Sequence, residues 1–458
     1  MLDPWGERMP RSVSLLQTVA VSVGVAIGSG IFRVPATVAE RLHAPGPILT
    51  CWVLGGLIAL CGTLTIAELA AALPRSGGLF AWLLESYGPL PAFLFGWTEL
   101  VVIRAAALGA IATVFAEYLG YFVPMSGAQV RYTAAFAIVL IGTVNYLGVQ
   151  RAAALQSVTT LLKYAVLLAL GLLAFTASGG SVNHFAPAWP AGVPLSALAS
   201  ALIPVLWTYD GWADPATMGG EIANPQRNLP LALIAGALCV MLVYLVVNVG
   251  FLYALAPEQM TGSKLIASSV AARIPLLAGA GAAVVAAAVV VSAFSGLNAS
   301  MMTGSRVFYA MADRGVFPRV AARVSPRFNS PSVAIWLATA LGIFYVLQND
   351  FAQLADKFVL GIWPFYTLAV AGVFILRRRR PDLPRPYRVW GYPLVPAVFL
   401  LASVLMVLNA LLTAPGDTGV TLLIIVAGVP VYWQRERLRR GCERARRYLE
   451  PLLEPRGR

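Results

Sequence analysis

Charge is scarce in this sequence of 458 residues: Asp, Glu, Lys and Arg together make up 12%, about half the share of an ordinary soluble domain. Histidine is nearly missing. His43 and His184 stand alone, so neither a His-based metal centre nor a His-dependent catalytic triad has its parts, and no cofactor is expected. The four cysteines offer no disulfide framework and no Cys-x-x-Cys metal site. Cys51, Cys61 and Cys239 fall inside apolar runs, and Cys442 lies in a basic terminal stretch. The alternating period-2 pattern of a membrane β-barrel is lacking too. The first dozen residues carry neither a basic n-region nor a small-residue cleavage site, so no cleavable secretory leader is expected.

What the chain has in quantity is apolar sequence. Hydrophobic residues make up 59% and arrive in blocks, such as Leu231 to Ala256, Leu276 to Ala293 and Phe358 to Leu376. About 20 such residues span the hydrocarbon, where the backbone must satisfy its own hydrogen bonds and therefore coils into helices. Breaks at polar, Gly and Pro residues divide the chain into about twelve helices: α1 13–40, α2 47–72, α3 92–120, α4 132–149, α5 153–177, α6 194–220, α7 229–256, α8 276–311, α9 332–348, α10 356–376, α11 393–413 and α12 418–433. The fold class is an all-α polytopic membrane protein. Its transmembrane domain covers 1–434, and a basic tail covers 435–458.

An even number of helices places both termini on one side of the bilayer. That side collects 24 of the Lys and Arg residues, against 5 on the other (Arg41, Arg131, Lys264, Arg273 and Lys357). By the positive-inside bias the termini are cytoplasmic and the site is a cell membrane. The same asymmetry accounts for the formal charge of +13 without nucleic acid. The tail from Arg435 onward reads as a solvated, lipid-facing segment.

Transporters built from inverted repeats bind substrate near mid-membrane, where two corresponding helices are interrupted. Two apolar runs, five helices apart, carry such interruptions. In α1 the run Gly24-Val-Ala-Ile-Gly-Ser-Gly-Ile-Phe32 places Gly28-Ser29-Gly30 near the centre; in α6 the run from Pro204 to Pro215 carries the step Asp210-Gly211. Glycine permits backbone conformations closed to other residues and leaves room for a ligand. Unwinding frees N–H groups that can hold a carboxylate and carbonyls that can accept from an ammonium. A zwitterionic amino acid matches both. By itself Gly24-x-x-x-Gly28 also fits close helix packing, and it is the paired break that favours a ligand site.

At these residues the sequence resembles the amino acid–polyamine–organocation superfamily, and within it the L-type amino acid transporter branch. The resemblance is carried in order by Ile27-Gly-Ser-Gly-Ile-Phe32, Ala67-Glu-Leu, Pro74-Arg-Ser-Gly-Gly78, Gly88-Pro-Leu-Pro-Ala-Phe93, Tyr209-Asp-Gly-Trp212 and Glu221-Ile-Ala-Asn-Pro-Gln-Arg-Asn-Leu-Pro230. Ser305-Arg-Val-Phe308, Pro381-Asp-Leu-Pro-Arg-Pro-Tyr387 and Gly428-Val-Pro-Val-Tyr432 continue it. It implies a five-plus-five inverted repeat (about 13–177 and 194–376) with α1 and α6 unwound at mid-membrane and α11 and α12 (about 393–433) appended. It also implies a central site between α1, α3, α6, α8 and α10.

Carried over by position, the substrate carboxylate meets the N–H groups of Ser29, Gly30 and Ile31 and the Ser29 hydroxyl. The ammonium meets carbonyls of Ile27, Trp207 and Asp210. The substrate-binding candidates are thus Ile27, Gly28, Ser29, Gly30 and Ile31 with Trp207, Thr208, Asp210 and Gly211. Trp207 stands where the family places an aromatic gate. The resemblance also puts Lys163 of α5 near α1 and α8, where its ammonium replaces the sodium ion of related transporters. Eukaryotic members join a heavy chain through a cysteine in the loop after α3; residues 121–129 contain none, so no disulfide-linked partner is expected. Asp210 is a glycine in many eukaryotic members, and its carboxylate either selects cationic substrates or ties α6 to its surroundings.

Ionisable residues within spans normally face a cavity or a partner. Glu99 and Arg104 in α3 are five residues apart, off a common helical line, so Arg104 is expected to pair with other helices. Arg33 either guards an outer vestibule or snorkels, and Glu68 and Glu221 cap or pair with loops. The small residues Ala105, Ala106, Ala107 and Gly109 leave space in α3. Together these readings describe a Na⁺-independent secondary transporter of neutral L-amino acids working by exchange. Proton-coupled symport and transport of cationic amino acids or polyamines are the alternatives. A membrane enzyme lacks its polar cluster, and a non-transporting receptor is separated only by uptake. The charge asymmetry makes one prediction. In intact cells a membrane-impermeant thiol reagent should leave a single cysteine placed after Arg435 unlabelled; labelling from outside would contradict cytoplasmic termini.

Overall fold

The computed structural model describes residues 11–453 apart from 12, 29, 76, 148–162, 190–192, 221, 278, 314, 318–319, 321–322, 324, 326 and 329. Among the described residues eight helices are long and apolar enough to cross a bilayer: α2 Pro45–Ala72, α3 Pro89–Leu119, α4 Gly127–Tyr146, α7 Pro225–Ala254, α8 Gly281–Ser305, α10 Phe351–Arg379, α11 Leu394–Thr413 and α12 Pro415–Arg435. Four shorter apolar helices complete the twelve, namely α1a Leu15–Ala26, α5 Lys163–Thr176, α6 Leu195–Tyr209 and α9 Ser332–Gln348. The polytopic all-α class holds, and the one extended pairing among the described residues is the isolated bridge between Val13 and Ile222.

Helix ends depart from the apolar runs for local reasons. Several helices begin a turn before the apolar run because a polar cap starts them. Ser126 and Gln129 form a capping box ahead of α4, and Asp350 and Gln353 another ahead of α10, satisfying amides that the helix leaves free. Proline at the first turn starts α2, α3 and α7, where its fixed φ fits and its missing N–H is no loss. α8 starts later than expected because Pro275–Leu277 forms a separate 3₁₀ turn. The last helix continues to Leu453 instead of stopping near residue 433. The expected α5 residues 153–162 lie outside the described residues.

Both suspected interruptions are real. Helix 1 stops at Ala26, passes through a 3₁₀ turn at Gly30–Phe32, and resumes as α1b, Val34–Leu42. α6 stops at Tyr209, and a 3₁₀ turn, Asp214–Thr217, replaces the rest of the expected span. The two breaks touch. Gly211 has φ +105°, and a Cβ there would lie 2.9 Å from the Ala26 backbone, so only glycine lets the chains approach so closely.

The loop between α2 and α3 holds the end of α6 in place. Gly77 and Gly78 have φ +102° and +47° and introduce a short helix, Leu79–Tyr87. The Gly77 amide donates to the Thr217 carbonyl at 3.1 Å. On the same face Arg11 donates to Gly219 O at 2.8 Å and to Pro74 O at 3.3 Å. Glu68, buried at the end of α2, accepts from Arg377 Nε and Nη2 at 2.9 and 2.6 Å and from the Val389 amide at 2.8 Å. This is the loop pairing expected for Glu68, and it clamps α2 to the end of α10 and the loop beyond. Glu221 lies outside the described residues.

Candidate functional site

Between the breaks lies a cleft of about 680 Å³ including its open mouth. Helix 1 contributes Val25, Ala26, Gly28 and Gly30; α6 and its tail contribute Trp207, Thr208, Asp210, Gly211 and Asp214. The opposing walls come from α3 (Ile103, Arg104, Ala107, Ile111), α8 (Gly296, Ala299, Ser300) and α10 (Phe358, Ile362). Of the small residues of α3, Ala107 reaches this wall. Gly109 instead packs against Leu354, and Ala105 and Ala106 are buried in the core.

Six of the nine substrate-binding candidates therefore share one cavity: Gly28, Gly30, Trp207, Thr208, Asp210 and Gly211. Ile27 and Ile31 do not line it. Both are 0% exposed with side chains in the hydrophobic core, so only their backbone groups are available at the break. Ser29 lies outside the described residues. A Cβ on Gly28 would meet nothing within 4 Å, whereas one on Gly30 would lie 2.8 Å from Thr208 Oγ1 and 2.9 Å from the Trp207 ring.

Two side chains brace the break from behind. Lys163 Nζ, fully buried, donates to the Gly24 carbonyl of α1a, which ties α5 to the half-helix before the break. The Tyr244 hydroxyl of α7 sits 2.8 Å from Ala26 O and 3.1 Å from Thr208 O, so its one proton can be donated to a carbonyl at the end of either broken helix. Nothing in the sequence marks Tyr244, one of three aromatics within an apolar run.

The charges of α3 are arranged differently from the sequence expectation. Residues Glu99–Ile103 form a π-turn, with the Arg104 amide bonded to Glu99 O. In this wider turn residues five apart share one side, so Arg104 and Glu99 pair within their own helix. Arg104 Nε donates to Glu99 Oε1 at 2.9 Å, while Nη1 donates to Ser300 O at 2.9 Å and Ser300 Oγ at 2.8 Å. The expected link to another helix is thus present as well, to α8. Asp210 Oδ1 accepts from the Tyr366 hydroxyl of α10 at 2.9 Å, which fastens the α6 break to a neighbouring helix.

Beyond the helix 1 break, at the level of α1b, the walls are joined to one another. Arg33 Nε pairs with Glu117 Oε2 at 3.2 Å and its guanidinium lies 5.3 Å from the Phe351 ring centroid. Phe351 meets Trp207 edge-on at 5.3 Å. This chain links helix 1, α3, α10 and α6, so Arg33 is a partnered residue and not one that snorkels. The Tyr118 hydroxyl adds a bond to Phe32 O at 2.7 Å.

A bundle of twelve apolar helices, two of them broken where their backbones face one amphipathic cavity, has the anatomy of a secondary transporter. Sequence comparison agrees. The profile described as "Amino acid permease" matches residues 13–433, and the chain belongs to this family of membrane transporters. It is 30% identical to the serine/threonine exchanger SteT of Bacillus subtilis over 93% of this chain and 97% of that protein. Human b(0,+)-type amino acid transporter 1 is 30% identical over 94% of this chain and 89% of its own length. The human cystine/glutamate transporter is 29% identical, with 93% and 85% covered.

The clearance around Gly30 makes a prediction. Gly30→Val must displace Thr208 and Trp207 and fill the opening between the breaks, so transport should fall at least ~100-fold while monodisperse protein is still recovered from the membrane. Transport near the native rate by the valine variant would show that the opening at Gly30 is not used.

Proposed function

We propose that this protein is a Na⁺-independent exchanger of neutral L-amino acids, resident in the cell membrane with both termini cytoplasmic. The observation that supports it most is the shared exposure of both broken backbones to one cavity. Gly28 and Gly30 stand on one side, and Trp207, Asp210 and Gly211 on the other. In this reading the amides following the helix 1 break, from Ser29 to Ile31, hold the α-carboxylate. The carbonyls of Ile27, Trp207 and Asp210 hold the α-ammonium. Each charged end of a zwitterion thereby replaces lost water with fixed dipoles. The apolar wall formed by Ile103, Ala107, Ile111, Phe358 and Ile362 receives the side chain.

Trp207 acts as the gate, since its contact with Phe351 closes the cavity on the side of the Arg33–Glu117 pair. Lys163 supplies a fixed positive charge beside helix 1, where an ion would otherwise be needed. It also links α1a to α5, so movement of that half-helix depends on an occupied site. Exchange is favoured by the similarity to the serine/threonine exchanger. Asp210 serves to position α6 through Tyr366. No disulfide-linked partner is proposed, because residues 121–129 carry no cysteine.

The experiment is uptake of labelled serine and leucine into proteoliposomes in which choline replaces Na⁺. Uptake should require unlabelled amino acid inside and should proceed at the same rate with Na⁺ or choline. Lys163→Ala should slow exchange by at least ~10-fold and weaken binding less, because the brace is lost while the backbone site remains. Strict dependence on Na⁺ would overturn the coupling. Accumulation driven by an inward proton gradient into empty vesicles would replace exchange by symport.

A further inference from the structure

The end of α10 and the loop leading into α11 concentrate arginine where the transport cavity does not reach. Residues 377–388 contain six, and three of them are committed. Arg377 donates to Glu68 at 2.9 and 2.6 Å and lies 3.8 Å from the Tyr392 ring centroid. Arg380 pairs with Glu85 at 2.8 Å and lies 3.9 Å from Asp382; Glu85 is shared with Arg75. Arg385 caps α10, donating to the carbonyls of Leu376, Arg380 and Leu383 at 2.9, 2.8 and 2.8 Å, with Glu68 at 3.5 Å. The other three, Arg378, Arg379 and Arg388, are exposed and make no hydrogen bond, ion pair or ring contact among the described residues. The nearby carboxylates are thus used by the committed arginines, and the free positive charge is turned outward.

The backbone that carries these cations is pinned. The Val389 amide donates to Glu68 at 2.8 Å, and the Tyr392 ring packs on Phe374 at 5.2 Å as well as on Arg377. Arg388 and Trp390, on either side of Val389, are therefore held beside the last turn of α10, which bears Arg378 and Arg379. Trp390 is 79% exposed, and an exposed tryptophan at the end of a span belongs at the headgroup level of a bilayer. Beyond it Leu394, Val398, Leu401, Leu405, Leu408 and Leu412 are all exposed, and their alternate spacing of four and three sets them on one face of α11. The patch stands at the head of an apolar stripe that runs the length of a spanning helix. A small soluble anion would engage the arginines and leave the stripe bare. A second copy of this chain, packed stripe to stripe about a two-fold axis along the membrane normal, would bring two arginine patches together. A molecule with an anionic head and long apolar chains matches both parts, since phosphate accepts charge-assisted hydrogen bonds from guanidinium groups.

We propose that the α10–α11 loop and the exposed face of α11 form a binding site for an anionic phospholipid. Arg378, Arg379 and Arg388 hold its phosphate, Trp390 lies against its interfacial region, and its acyl chains follow the stripe from Leu394 to Leu412. The lipid supplies the negative charge that the protein's own carboxylates do not provide there. None of these residues lines the transport cavity. The bound lipid bears on α10, a wall of that cavity, at the turn that Glu68 clamps.

The test uses the full-length protein in phosphatidylcholine vesicles, to which phosphatidylglycerol or phosphatidylcholine with brominated acyl chains is added in steps. Bromine quenches tryptophan fluorescence at close range, and the quenching that disappears in Trp390→Phe reports lipid at this site. Brominated phosphatidylglycerol should produce that quenching at a mole fraction at least ~10-fold lower than brominated phosphatidylcholine. Replacing Arg378, Arg379 and Arg388 together by Gln should erase the preference, and added salt should weaken it. Arg131→Gln, which removes an exposed charge from α4, should leave it intact. Equal quenching by the two lipids in the unmodified protein overturns the site, and this comparison does not depend on the folding of any arginine variant. A preference that survives the triple replacement overturns it too. So does displacement of phosphatidylglycerol by inorganic phosphate at constant ionic strength, which would assign the arginines to a soluble anion. If Trp390→Phe removes no quenching with either lipid, another chain covers the stripe and the lipid assignment fails.

Discussion

In the hydrocarbon interior an unpaired backbone amide or carbonyl costs several kcal/mol, and this structure is organised around two places where that cost is accepted. Helix 1 stops at Ala26 and α6 at Tyr209, both in the middle of the bundle. The fold spends side chains on holding those ends: Lys163 on Gly24 O, and Tyr244 between Ala26 O and Thr208 O. Gly211 lets the breaks meet without a side chain between them. The remaining freed groups border the cavity, which gives a zwitterionic ligand a reason to be there.

Around that centre the charged residues divide by level. At the level of α1b, Arg33, Glu117, Phe351 and Trp207 connect four helices beside the cavity. At the level of the α2–α3 loop Glu68 holds Arg377 and the Val389 amide, and Arg11 holds the loops after α2 and α6. Ion pairs so placed, partly buried and sharing acceptors with backbone amides, fix geometry more than they add stability. Between the two levels, Arg104 is engaged by Glu99 and Ser300.

The number of helices, both breaks and the cavity-facing glycines were legible because they depend on composition and on glycine, whose effects are local. The link from Arg104 to another helix was legible, but its pair with Glu99 was not, because a regular helix was assumed; five residues span a π-turn differently, and no sequence signal announced one. Tyr244 and Asp214 were missed for another reason. A tyrosine in an apolar run, or an aspartate before a proline, acquires its role only when a distant helix is set against it. Ile27 and Ile31 show the reverse limit. The motif containing them was recognisable, but only the structure shows that their side chains pack into the core while their neighbours line the cavity.

The central claim is that the two breaks bind substrate through its α-carboxylate and α-ammonium. It is tested most directly by measuring how a single parent amino acid, its α-amide and its N-methyl derivative each inhibit exchange of labelled serine. The amide removes the negative charge that the amides after helix 1 would receive. The N-methyl group removes a donor needed by the freed carbonyls and adds bulk against them. The account predicts that both derivatives compete at least ~10-fold more weakly than the parent, as expected for loss of a charge-assisted hydrogen bond. Equal inhibition by all three would contradict it.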